Sequence, residues 1–310
     1  MHNTQSATKL LNTHKNQAQD LGRILKNTII AGCNLKVVDE ATIDQAKQII
    51  QANGWVLLRG FEHNLETFSE LVSQFCSQLT FDPAREFSNK TTQKVNAGTG
   101  AIGLHIENGN TPFPPDLVAF YSRKSAHMGS QTTLCDGELL FNTLPDSLKV
   151  LFTGNMVVSR TLPEALWKRY VANEHPQIND IQEVTPARLQ ELMNMLPGQI
   201  GTLNEQGELY YQLCFSPILT STPYGQKAFA NAILGPSFNY EAPQYHFQDG
   251  SLLSNSIKEE IAKFAEQCTL ELAWQDGDMI LIDNTRVMHG RRAIEGDPSE
   301  RQLVIAMGSH

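Results

Sequence analysis

His105 and Glu107 stand two residues apart, and a second histidine, His289, follows 184 residues after the first (289 − 105). Two imidazoles and one carboxylate gathered on one face of a divalent metal leave the opposite face open. That is the ligand set of non-haem Fe(II) oxygen chemistry. In an extended strand, residues i and i+2 point to the same side. His105 and Glu107 then offer a nitrogen and an oxygen to one ion while Ile106 turns away. The bare pair is a weak signal, because most such triplets are incidental surface or strand residues. Two histidines and a glutamate are also a zinc set with water in the open place, although the H-E-x-x-H pattern usual for it is absent.

The elements that must bring these residues together can be read on either side of them. Ala101 to Leu104 reads as the end of a strand running into the loop Asn108-Gly109-Asn110. Asp276-Gly277-Asp278 reads as a turn and Met279 to Ile282 as a short buried strand. After His289, Gly290-Arg291-Arg292 and Glu295-Gly296-Asp297-Pro298 read as a second turn, with Arg291 and Arg292 solvated. Arg301 then opens the apolar return strand Leu303 to Met307. An arginine near a metal is a natural clamp for a carboxylate, since its planar fork makes two charge-assisted hydrogen bonds at once.

These segments resemble the iron(II)/2-oxoglutarate dioxygenases of the taurine-dioxygenase and clavaminate-synthase-like superfamily. Gly54 to Phe61 looks like the family's early strand, and His105-x-Glu107 with Pro115-Asp116-Leu117 like its first metal motif. Gly129 to Gly137 looks like its co-substrate threonine segment, and Asp283-Asn284 through His289 to Arg301 like its second metal motif and arginine. The resemblance implies that His105, Glu107 and His289 hold Fe(II). It implies that Arg301, helped by Thr132, holds the distal carboxylate of 2-oxoglutarate, and that O2 is consumed. Glutamate followed nine residues later by Asp116 is similar to the clavaminate-like branch, and the presence of the carboxylate argues against halogenation. A free or derivatised amino acid in specialised metabolism is the implied substrate, hydroxylated at an unactivated C–H bond. Desaturation or cyclisation by the same cofactors, a zinc hydrolase, and a non-enzymatic small-molecule-binding jelly roll are the alternatives. Asn108, Asn110 and Asn284 are candidate substrate contacts, with loop turns or backbone bonding as their other reading.

The 310 residues, 41% hydrophobic, suffice for one sizeable core. A net charge of −9 without a dense basic cluster disfavours nucleic-acid partners. No apolar run approaches the roughly 20 residues that span a bilayer, and the polar start lacks signal-peptide order. Five scattered cysteines without C-x-x-C pairing fit reduced, packed thiols in a cytoplasmic chain. A small-molecule substrate is the expected partner, and self-association into a homo-oligomer is compatible with the sequence.

One domain over 1–310 is expected, mainly β with flanking helices, in a double-stranded β-helix of the cupin type. Strands are predicted at 55–58, 117–122, 131–135, 279–282 and 303–307. Residues 1 to about 35 read as a polar lead-in with short helices. Thr42 to Gln45 opens a capped helix that Gly54 stops, and His63 to Leu79 reads as a second. His63 itself reads as a helix-start surface residue and His127 as a turn residue. The block 138–270 reads as a helical insertion and partial lid. It has segments at Pro145 to Phe152, Pro186 to Met195 and Gly225 to Leu234, and a helix capped at Ser256.

Overall fold

Trp55 to Leu58 is buried on both faces, and its alternate residues enter different cores. In the computed structural model, which describes residues 26–178, 180–220, 225–235 and 242–310, Trp55 and Leu57 pack with Val118, Phe120, Ile280, Ile282, Leu134, Val287 and Ile305. Val56 and Leu58 pack on the other side with Ala119, Leu281, Val304 and the helical residues Ala46, Phe68 and Leu71. A strand buried on both faces in this way lies between a second sheet and a layer of helices.

The strands of the two main sheets are labelled in chain order. They are β1 Ile29–Lys36, β2 Trp55–Phe61, β3 Gln78–Thr80, β4 Gln93–Lys94, β5 Ile102–His105 and β6 Leu117–Lys124. They continue with β7 Thr132–Asp136, β8 Thr269–Leu272, β9 Met279–Asp283, β10 Val287–Arg291 and β11 Gln302–Ser309. The larger sheet runs β1-β2-β9-β6-β11-β3 with β4 also on β11, and the smaller runs β8-β7-β10-β5. Only β1 and β2 are parallel within them. Helices α1 Glu40–Asn53 and α2 Leu65–Ser73 cover the outer face of the larger sheet. The core shared between the sheets draws on both.

The predicted strands all form; that at 131–135 is displaced by one residue and the others are longer by one to three. Gly54 stops α1 in the left-handed conformation (φ 80°). Several expectations are corrected. The expected lead-in overlaps β1, which pairs with β2; residues 1–25 lie outside the described residues. The cap of α1 is Asp39, whose Oδ1 accepts from Thr42 N at 2.9 Å, so the helix starts before the expected box at Thr42. The helix expected to reach Leu79 ends at Ser73, and Gln78–Thr80 joins the sheet edge against β11. The Gly225–Leu234 segment is a strand, Lys227–Phe229, followed by a turn in which Asn231 Oδ1 accepts from Ile233 N. Such a side-chain bond gives the backbone an alternative to helix.

The block 138–270 mixes helices with a sheet that was not expected. It does hold helices at Asp146–Leu151 and Pro186–Met195, and one at Asn255–Gln267 that is capped by Ser254 instead of Ser256. It also holds a four-stranded antiparallel sheet made of Gln199–Leu203, Leu209–Phe215, Met156–Leu162 and Gln244–His246. Leu209–Phe215 alternates buried and exposed positions, the signature of a half-buried strand. Cys135 and Cys268 are buried, as expected for packing thiols, whereas Cys214 is exposed.

Candidate active site

The inward face of β10 carries Val287, His289 and Arg291 in alternation, while Met288 faces the other core. His289 lies directly opposite His105 on β5 and opposite Leu134 on β7. The rings of His105 and His289 are 4.6 Å apart between centroids, and Phe120 of the larger sheet meets His289 edge-on at 5.2 Å. The site therefore sits between the sheets. His105 is the last residue of β5, and Glu107 lies just beyond it in the turn, as the sequence predicted.

One ligand atom from each of His105, Glu107 and His289 lies within 4.8 Å of the other two. Glu107 Oε2 is 3.3 Å from His289 Nε2 and 3.9 Å from His105 Nε2. Bonds of about 2 Å to a single ion span such separations. The Nδ1 of His105 is 2.8 Å from the Gly103 carbonyl, which makes it the protonated nitrogen and leaves the Nε2 lone pair facing Glu107. His289 Nδ1 is buried without a partner, so packing orients that ring.

The other oxygen of Glu107 is occupied. Arg85 Nη2 donates to Oε1 at 2.7 Å, and Arg85 Nε donates to Asp82 at 3.2 Å. Burial opposes charge on Glu107, but the Arg85 guanidinium, together with the His289 hydrogen bond, holds its carboxyl well below the usual range. Burial, with the neighbouring His289 second, pushes the His105 imidazole down to about 4. At neutral pH the pair presents a carboxylate and a neutral imidazole, the protonation states a metal requires.

The triad opens on a cavity of about 610 Å³. Arg301, the residue before β11, lines it. Its Nε donates to Ser130 Oγ at 2.9 Å. Burial first, then the nearby charge of Arg291, lower Arg301 to about 10, so it remains a cation at neutral pH. Thr132 also lines the cavity, and its hydroxyl accepts from Trp274 Nε1 at 2.9 Å, which leaves the hydroxyl proton to be donated elsewhere. Asn108, at a positive φ of 54°, and Asn110 line the wall. Asn110 accepts from the Tyr245 hydroxyl at 3.0 Å.

Asn284 does not reach the cavity. It is buried behind the site, where its Oδ1 accepts from Glu107 N at 2.8 Å and its Nδ2 donates to the carbonyls of Glu107 and Pro115. The reading of Arg291 as a solvated turn is also corrected. It is 4% exposed because β10 continues through it, and it lines the cavity. Arg292 does lie at the surface end, paired with Glu266 and Glu271. Arg286 is bidentate on Asp136, tying the β9–β10 turn to the end of β7. His127 is exposed, 3.7 Å from Glu300, and takes no part in the site. His63 lies just before α2 and contacts the Tyr121 hydroxyl at 3.1 Å. Arg85 was not foreseen, since Asp82-Pro83-Ala84-Arg85 matches no motif and its importance comes only from what it touches.

A model of the taurine catabolism dioxygenase TauD, TfdA family matches residues 25–307. The dapdiamide synthesis protein DdaC of Enterobacter agglomerans is 22% identical over 281 residues, covering 83% of this chain and 84% of that one. A taurine hydroxylase-like protein, SAT17, of Stachybotrys chartarum is 21% identical over 280 residues, covering 84% of this chain and 62% of that one. Among solved structures, a taurine dioxygenase from Burkholderia xenovorans superposes with a TM-score of 0.59 at 13% identity, over 91% of this chain and 86% of that one. AAD-2, solved with Mn(II) and N-oxalylglycine, gives 0.54 at 13%, over 91% and 93%. The fold and the His-Glu-His cluster are those of a metal-dependent oxygenase. The chain belongs to the TauD/TfdA family, whose members depend on Fe(II) and 2-oxoglutarate, and it is a dioxygenase. Among the described residues no helix is long and apolar enough to cross a membrane.

Proposed function

We propose that this chain binds Fe(II) through His105, Glu107 and His289, and 2-oxoglutarate through Arg301 and Thr132, to hydroxylate an unactivated C–H bond of a small amino-acid-like molecule. The observation that carries the reading is the convergence of three ligand atoms within 4.8 Å beside a cavity-facing guanidinium. The alternation of strands between the two sheets supports the double-stranded β-helix as the frame, with 138–270 as a part of the one domain that closes over the site.

The donor set fits a ferrous ion. His105 presents Nε2 because Gly103 takes its other nitrogen, and Glu107 presents a single oxygen because Arg85 takes the other. When bound, Fe(II), 2-oxoglutarate and O2 supply the oxidising power, with succinate and carbon dioxide as co-products. Arg301 supplies a charge-assisted grip on the far carboxylate, and Thr132 adds a hydroxyl donor. Holding that end turns an encounter of two molecules into a fixed orientation. Arg160, Leu162, Leu166, Tyr170 and Glu174 form one wall of the cavity. Asn108 and Asn110 are the polar contacts proposed for substrate. Cavity walls that carry both signs of charge, Arg160 with Asp82 and Glu174, support a zwitterionic substrate.

Anaerobic addition of Fe(II) and 2-oxoglutarate tests this, and a weak visible charge-transfer band is the expected result. Folded, iron-loaded protein without the band would reject the assignment. His105→Ala or His289→Ala should lose iron, whereas Arg301→Ala should keep iron and bind 2-oxoglutarate poorly. Succinate release against a panel of amino acids and amines identifies the substrate. Product analysis separates hydroxylation from desaturation or cyclisation, which would use the same residues.

A further inference from the structure

Arg291 stands two residues beyond His289 on the same inward face of β10, directly opposite Thr132 on β7. Its Nη2 donates to three carbonyls of one loop, those of Ala97 at 3.2 Å, Gly98 at 2.8 Å and Gly100 at 2.6 Å. Its Nε and Nη1 are buried and have no partner. Arg301 approaches from β11 closely enough that the charge of Arg291 lowers its proton affinity. Arg286 and Arg292 pair with carboxylates, whereas among the described residues neither Arg291 nor Arg301 does, and both line the cavity.

A buried guanidinium with orphaned N–H groups beside a second, half-buried one is an expensive arrangement, because each charge loses hydration and repels the other. An anion between them reverses both costs. Arg291 cannot simply swing to water, because three carbonyls hold its Nη2 and the strand ladder holds its backbone. We infer that Arg291 is a second guanidinium of the site for the far carboxylate of 2-oxoglutarate, and that it couples the 97–100 loop to that carboxylate. Arg301 grips from just before β11 and Thr132 from β7, while Arg291 supplies charge from β10 and fastens the loop whose Ala97 and Gly98 line the adjoining cavity wall. The inference rests on the proposed co-substrate assignment and adds to it a second cation for the same carboxylate.

The test uses the full chain loaded anaerobically with Fe(II). Binding is followed by calorimetry with N-oxalylglycine and with 2-oxoglutarate. A probe without the far carboxylate, 2-oxobutyrate, serves as reference. Arg291→Gln should keep iron affinity and lose dicarboxylate affinity by about ten-fold or more, the scale of one charge-assisted hydrogen bond. Its affinity for 2-oxobutyrate should change little, so the preference for the dicarboxylate shrinks. Arg291→Lys should recover part of it by restoring charge. If Arg291→Gln discriminates the two acids as the unmodified protein does, the residue only pins the loop and the inference is wrong. If Arg291→Gln fails to fold, Arg291→Lys decides, because an unchanged preference with the altered donor geometry overturns the proposal in the same way. If the unmodified protein itself binds no 2-oxoglutarate, it is the co-substrate assignment that fails, and the two failures are distinguishable.

Discussion

His105 and His289 are register partners across the β5–β10 ladder, their rings 4.6 Å apart on the same inward face. The pairing shifts by one residue beyond them, so that Arg291 faces Ile102. This is a bulge on β5 at the point where the Gly103 carbonyl turns to the His105 ring. The candidate metal site is thus a property of strand register, and a one-residue slip would send one of its donors to the opposite face.

Gly290 tests that dependence. A Cβ there would lie 2.5 Å from the Ile102 carbonyl oxygen and 2.7 Å from Thr133 Oγ1. Gly290→Ala must push β10 away from β5, costing about 1–3 kcal/mol as overpacking does. Thermal unfolding and Fe(II) titration should both report the loss. Unchanged iron affinity would mean that register does not hold the site.

Arg85 selects which Glu107 oxygen is free. Arg85→Gln keeps a donor without the charge and should weaken iron binding by about 10–100-fold, the scale seen when a partner of a metal ligand is removed. Calorimetric titration with Fe(II) under nitrogen checks this. Equal affinity in the variant would make the Arg85–Glu107 pair irrelevant to the ion.

Asn284 holds the loop that carries Glu107 through three hydrogen bonds. Asn284→Ala leaves those buried backbone groups without partners and should cost about 1–3 kcal/mol or more. Because the residue does not face the cavity, the KM for substrate should move less than kcat. A change confined to substrate KM would restore Asn284 to the substrate wall.

The metal-free protein should lose stability as pH falls from 6.5 to about 4. Buried His105 resists a proton in the folded state down to about 4, whereas its ordinary value is 6.5. Between these values the unfolded chain binds more protons, so acid favours unfolding. Denaturant titrations across the window should show the slope, and His105→Gln should flatten it. An identical slope in that variant would place the proton uptake elsewhere.

The metal motif was legible because its signal is local. His105-x-Glu107 puts two donors at a strand's last residue and in the turn after it, and Met279 to Ile282 and Leu303 to Met307 are continuous apolar runs of the kind that strands buried on both faces require. Gly54 declared a helix end through its backbone freedom. The sheet within 138–270 was missed although Leu209–Phe215 alternates, because the apolar spacing of neighbouring segments drew the whole block toward helix. Gly225 to Leu234 failed for a related reason, a short apolar run that suits either state.

What the chain alone determined were residue types at fixed spacings: three candidate metal donors, an arginine twelve residues after His289, and the strands that carry them. Only the tertiary structure decided that Arg85 caps one oxygen of Glu107, that Asn284 serves the backbone, and that Arg291 lies buried beside Arg301. Each of these depends on contact between segments far apart along the chain, and the partner of a long flexible side chain is set by where folding brings an opposing charge or carbonyl. Spacing in sequence carries no record of that.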